Sequence, residues 1–207
     1  MMAKRFFDPE GLLWKPLGFI GDLVAASLLW GLCSIPLVTI GSATTALYDT
    51  VVHAMRRKDD ALFSRFFASF RRELKTGAIT TLLWAVIAAL LYGLYRLLLL
   101  LPPVPMRNTA ATLFAVLVPF FLLMILCWVF PTLSRFTFSV AALNAAAIRL
   151  ALGNILRSLL LALITAAGIL ACALFTSPLI FVPGLTALLW SYLIEPVFLP
   201  FEEQAEK

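Results

Sequence analysis

Charge is scarce in this sequence: Asp, Glu, Lys and Arg together make up 13% of its 207 residues, against about 25% in a soluble domain. Hydrophobic residues supply 62%, and the mean hydropathy is +1.00. A soluble fold of this length could not hide so much apolar surface, because a folded chain always keeps a large exterior that must meet water. Histidine is nearly absent. His53 stands alone, which excludes any zinc signature built on two histidines, and it lacks the partners that a general base needs. It reads as a polar residue at a membrane interface. No glycine-rich phosphate loop with its lysine occurs, and no serine elbow. Cysteine is sparse and odd in number. Cys33, Cys127 and Cys172 all lie in apolar runs and read as small packing residues, without disulfide or metal-ligand spacing. These absences predict no enzyme, no cofactor and no metal.

Long uncharged runs take the place of chemistry. Residues 23–48, 76–95, 108–134 and 158–194 carry no charge over 26, 20, 27 and 37 residues. About 20 residues of helix cross the hydrocarbon core, so the last run is too long for one crossing. Ser177-Pro178 and Pro183-Gly184 divide it. The prediction is an all-α integral membrane bundle forming a single domain over 1–207. Its spans lie near 17–40, 76–101, 109–134, 158–176 and 182–200. The turn Leu101-Pro102-Pro103-Val104-Pro105 makes the second and third spans a helical hairpin. The basic opening residues resemble a secretory signal, but no small-residue cleavage site follows, and a retained first span is expected.

Seven of the 16 basic residues are Arg56, Arg57, Lys58, Arg65, Arg71, Arg72 and Lys75. Between two apolar spans such a cluster indicates a cytoplasmic loop facing anionic headgroups rather than a nucleic-acid site. The loops 56–75 and 135–157 are thereby placed in the cytoplasm. The start of the chain is ambiguous. One crossing over 17–40 gives five spans, with 11 basic residues inside and four outside. A break at Ser34-Ile35-Pro36 with a return through 37–55 gives six crossings, with 14 inside and one outside. Charge favours six. Length favours five, because the returning segment contains Asp49 and His53 and is rich in Ser and Thr; we take five, with the segment after Pro36 continued or half-embedded.

Two stretches look amphipathic. In 60–76, Phe63, Phe66, Phe67, Phe70 and Leu74 share one helical face, opposite Arg65, Arg71, Arg72 and Lys75, the pattern of a helix in the headgroup plane. Asp59 or Asp60 can cap it. Arg65, Arg71, Arg72 and Lys75 are the candidate contacts to anionic lipid or to a partner. The second stretch, 139–157, holds Asn144, Arg149, Asn154 and Arg157.

The candidate polar site is Pro36, Thr39, Gly41, Thr44, Tyr48 and Asp49. Proline breaks the helix there, Gly41 permits close backbone approach, and Ser42, Thr44 or Thr45 can cap a new helix. A helix that starts inside a membrane presents free N–H groups, as in the broken helices of transporters. A packing kink is the plainer alternative. Asp22, Asp49, Arg96 and Glu195 are charges within or beside spans. Each either marks a span end or lines a polar path.

The run Pro36 to Tyr48 resembles the YesL family of bacterial multi-pass membrane proteins. So do Phe63-Ser64-Arg65-Phe66-Phe67-Ala68-Ser69-Phe70-Arg71, Phe130-Pro131 through Ser134-Arg135-Phe136, and Leu150-Ala151-Leu152-Gly153-Asn154 with Arg157-Ser158. Ser42 departs from the proline expected there. The resemblance implies a membrane protein without established activity, associated with carbohydrate uptake as an accessory beside a sugar transporter. It implies no catalytic residues. A small solute transporter or channel using the break at Pro36–Gly41 is the alternative.

Overall fold

The computed structural model describes residues 14–56, 61–100, 102, 105–175 and 177–205, except for the side chains of 14–17, 54–56, 105, 177 and 201–205. Within them the chain is an all-α membrane helical bundle. Its α-helices are α1 (Trp14–Cys33), α2 (Ile40–Thr50), α3 (Leu62–Arg72), α4 (Leu74–Leu100), α5 (Pro105–Arg135), α6 (Val140–Gly153), α7 (Ile155–Leu174) and α8 (Val182–Ala205). Short 3-10 turns at Leu37–Thr39 and Ser177–Ile180 precede α2 and α8, and a π-helical turn, Val51–Arg56, continues α2.

Four stretches are long and apolar enough to cross a membrane: Leu74–Leu100, Met106–Arg135, Ile155–Leu174 and Val182–Pro200. They coincide closely with the four later spans read from the sequence. The most apolar window of α4 has none of its residues buried in the protein. Leu90 and Leu97 stand 69% and 61% exposed. A continuous leucine surface of this kind is intolerable in water and is the ordinary lipid-facing side of a membrane helix. Arg107 ties the α4–α5 hairpin together, donating to the Leu99 carbonyl at 3.2 Å and to Asn108 Oδ1 at 2.8 Å. Of the proline turn itself, residues 101, 103 and 104 lie outside the described residues.

The first span is corrected. One helix over 17–40 does not exist, because α1 ends at Cys33 and a separate helix begins at Ile40. Pro36 has no N–H to give and disfavours helical geometry at Ile35. The Thr39 hydroxyl secures the turn, donating toward the Cys33 and Pro36 carbonyls at 2.6 and 2.7 Å. The chain then doubles back, so that Trp30 on α1 meets Thr44 on α2.

Helix α2 forms the centre of the bundle. Every residue from Gly41 to Thr50 except Thr44 is buried. One side joins the core of Tyr48, Val52, Trp128, Leu133, Leu143 and Ile194; the other joins Ala26, Phe66 and Leu188. This explains why its sequence is too polar for a lipid-facing span. Its Ser and Thr side chains meet other helices, where small polar residues allow close packing and form bonds. Helix α6 begins with Ser139 as a true N-cap, accepting from Ala142 N at 3.4 Å, and buries Leu143, Ala147 and Ala151. Asn144 is drawn inward rather than left polar-side-out, accepting from Trp84 Nε1 at 2.8 Å.

Candidate functional site: the broken helix and its ion pairs

The start of α2 lies against the start of α4. Gly41 and Gly77 cross so closely that a Cβ on Gly41 would collide with Thr81 and the Phe130 ring and come within 2.9 Å of the Gly77 carbonyl. A Cβ on Gly77 would stand 2.9 Å from the Ser42 backbone nitrogen. The Gly41 N–H donates to Thr81 Oγ1 at 3.1 Å. The Ser42 hydroxyl reaches the Glu73 and Leu74 carbonyls at 3.3 and 3.2 Å. The break thus sits within two turns of the start of α4, which runs roughly 28 Å further to Leu100 at 1.5 Å per residue.

The capping expectation fails at all three residues proposed for it. Ser42 serves the α3–α4 junction instead. Thr44 and Thr45 bond back to the Ile40 and Gly41 carbonyls at 2.8 and 2.9 Å, as Ser and Thr do inside a helix. Thr39 is the N-cap, without a side-chain cap bond. Asp59 and Asp60, proposed as caps for α3, lie outside the described residues; the N-cap there is Ala61.

The six candidate residues of the break do not converge. Pro36 and Thr39 shape the turn, Gly41 meets α4, and Thr44 accepts from Trp30 Nε1 on α1 at 3.1 Å. Tyr48 donates to Glu195 Oε1 on α8 at 3.0 Å. Asp49 pairs with Arg65 on α3 at 3.3 Å and with His53 one turn on at 3.2 Å. From Gly41 to Asp49 the helix rises about 12 Å, and its polar groups point to four different neighbours. They act as rivets between helices, not as the wall of one pocket.

Two ion pairs complete the end of the bundle where α2 finishes. Arg135, last residue of α5, donates Nε and Nη2 to Glu195 Oε1 at 3.2 and 2.7 Å. Both side chains are below 10% exposed. Glu195 is therefore buried and paired rather than reaching water. Sequence reading singled out Glu195 and missed Arg135 as its partner. The available signal was a cation closing an uncharged run of 27 residues, with a lone acid closing another. His53 lies outside the four long apolar helices, and burial pushes its pKa below the ordinary value, with Arg65 and Arg135 adding to that and Asp49 opposing it. Among the described residues no three His, Cys, Asp or Glu side chains converge as metal ligands would.

The amphipathic helix divides otherwise than the sequence suggested. Leu62, Phe66 and Ser69 form its buried stripe. Phe63 and Phe67 stay exposed at 60% and 40%. Arg65 is turned in to Asp49, so it leaves the surface set. Arg71, Arg72 and Lys75 are exposed, and Arg72 Nε also donates to the buried Glu73 at 2.7 Å. We expect Asp49→Ala to cost about 1 kcal/mol, since Arg65 is partly exposed and can turn to water. Thermal unfolding in detergent reads this directly.

No curated protein and no solved structure matches the chain. A model for a family of proteins of unknown function, DUF624, matches residues 23–93. That stretch runs from α1 through the break, the buried α2 and the basic α3 into α4. The similarity is thus to a family of membrane-type proteins of unknown function, over the part of the chain that holds the broken helix; it does not carry the narrower YesL assignment.

Proposed function

We propose that this multi-pass membrane protein is a YesL-like, non-enzymatic accessory component of a cell-membrane assembly, acting beside a carbohydrate transporter. The observation that supports it is the outward side of α3 and the first turn of α4: Phe63 and Phe67 are exposed on α3, as are Arg71, Arg72 and Lys75 where α3 meets α4. Aromatic rings beside cations suit the headgroup plane of an anionic leaflet, or a partner that docks there. In this reading the loops 56–75 and 135–157 face the cytoplasm, by the positive-inside rule. The link to carbohydrate uptake rests on the sequence resemblance alone. The packed Gly41–Gly77 crossing and the paired Asp49 and Glu195 weigh against an open path through the break.

A second reading, a small solute transporter, has one observation in its favour. The hydroxyls of Thr50, Ser69, Thr80 and Thr132 are buried without a protein partner, as polar groups along a path would be.

Two measurements separate the readings. Purification from native membranes is expected to retain a membrane partner, lost in the double variant Arg71→Glu/Lys75→Glu, which leaves the Arg72–Glu73 pair intact, while the bundle still folds. Retention by that variant would remove the physical support for the accessory role. Liposomes containing the protein alone are expected to show no saturable uptake of labelled mono- and oligosaccharides. Uptake abolished by Asp49→Asn would establish the transporter instead.

A further inference from the structure

A cavity of about 410 Å³ lies between α1, α2, α5, α7 and α8. It is separate from the ion pairs and from the basic face of α3. Its wall is almost wholly apolar, built from residues such as Leu123, Leu126, Ile169, Leu179 and Val182. Both indoles on its border are bonded to threonines that also line it. Trp30 Nε1 donates to Thr44, and Trp190 Nε1 donates to Thr165 at 3.1 Å. The two threonine hydroxyls donate in turn to the Ile40 and Leu161 carbonyls at 2.8 and 2.7 Å. Cys127 Sγ lies 3.4 Å from the same Thr165 hydroxyl. Among the described residues no charged one lines the space.

Such a wall selects against sugars and ions, whose polar groups would be stripped of water without replacement. It suits an apolar guest. Helices α5, α7 and α8, which supply most of it, are membrane-crossing in length and composition, so the medium around them is hydrocarbon. Two wall residues, Ile169 and Leu179, are also 59% and 46% exposed, which makes the cavity continuous with the outer apolar surface. Hydrocarbon has direct access to this volume, and the dispersion contacts of its lining favour filling it. At roughly 30 Å³ per water-sized group the volume takes about fourteen such groups, the scale of a single lipid tail.

We infer that this cavity holds one acyl chain of a bilayer lipid. The chain enters past Ile169 and Leu179 and lies against the indoles of Trp30 and Trp190. Lipid then completes the packing between α1, α2 and α8, and the protein carries a bound lipid as part of its fold.

Trp190 gives the test. It lines the cavity yet is only 7% exposed, so a short-range quencher on a lipid tail reaches it only from within. The full chain is reconstituted in phosphatidylcholine vesicles with mid-chain brominated tails, and in unbrominated vesicles. The emission lost in Trp190→Phe reports Trp190 in each. The expected result is loss of most of the Trp190 emission in brominated vesicles and its recovery when Cys172→Phe fills the cavity. Leu179→Phe serves the same purpose by a second route if Cys172→Phe does not fold. Equal Trp190 emission in the two vesicle types would overturn the inference. So would quenching that survives both filled variants, or quenching by aqueous acrylamide, which would mean a wet cavity.

Discussion

Glu195→Leu will destabilise the protein by about 3–5 kcal/mol, because it removes the carboxylate to which the buried Arg135 guanidinium donates twice. Arg135 and Glu195 are both nearly inaccessible, and Glu195 also accepts from Tyr48. One carboxylate therefore joins α2, α5 and α8, and its loss frees three helices together. In detergent the unfolding midpoint should drop by on the order of 10 °C. The double variant Arg135→Met/Glu195→Leu should recover most of that loss, since removing both charges leaves no buried ion to solvate. A double variant as unstable as the single one would show that the pair is not the source of the effect. The contrast with Asp49→Ala is physical: Arg65 has water within reach and Arg135 has none.

Gly77→Val is expected to be nearly as damaging, by a different route. Overpacking ordinarily costs 1–3 kcal/mol because side chains shift to make room. Here the obstacle is the Ser42 backbone, which cannot move without displacing α2 from the centre of the bundle. The cost should therefore lie at or above the top of that range, with loss of the monodisperse species on size-exclusion chromatography. Gly93→Val on the same helix meets nothing within 4 Å and should stay within ~0.5 kcal/mol of wild type. Equal behaviour of the two variants would mean that α2 and α4 do not cross at Gly41 and Gly77.

The sequence was most legible where lipid is the partner. Uncharged runs, with prolines dividing the last, located the four long apolar stretches to within three residues at each end, because a membrane-crossing helix is defined by length and apolarity alone. Pro36 marked the break correctly, yet the residues beyond it were ambiguous. Segment 40–56 looks too polar to cross and too apolar to leave the membrane. The resolution is burial in protein, which no single-helix pattern displays: Ser42, Thr45 and Tyr48 find their partners on α3–α4, within α2 and on α8. The same cause hid the roles of the charges. Arg65 fell on the polar face of α3 by projection, and only the position of Asp49 on another helix draws it inward. The partner of Glu195 lay 60 residues away, beyond any local signal. Phe63 and Phe67 remain where the projection placed them, while Phe66 left that face for the core.

The broken helix is thus a packed axle of the bundle rather than a passage through it. Hydrogen exchange of the protein in liposomes, resolved over Gly41–Thr50, tests this most directly. Surrounded by other helices and bordered elsewhere only by the apolar cavity, these amides should exchange as slowly as those in the middle of α5. Rapid exchange across Gly41–Thr50, with α5 still protected, would show that water reaches the break and would contradict the account.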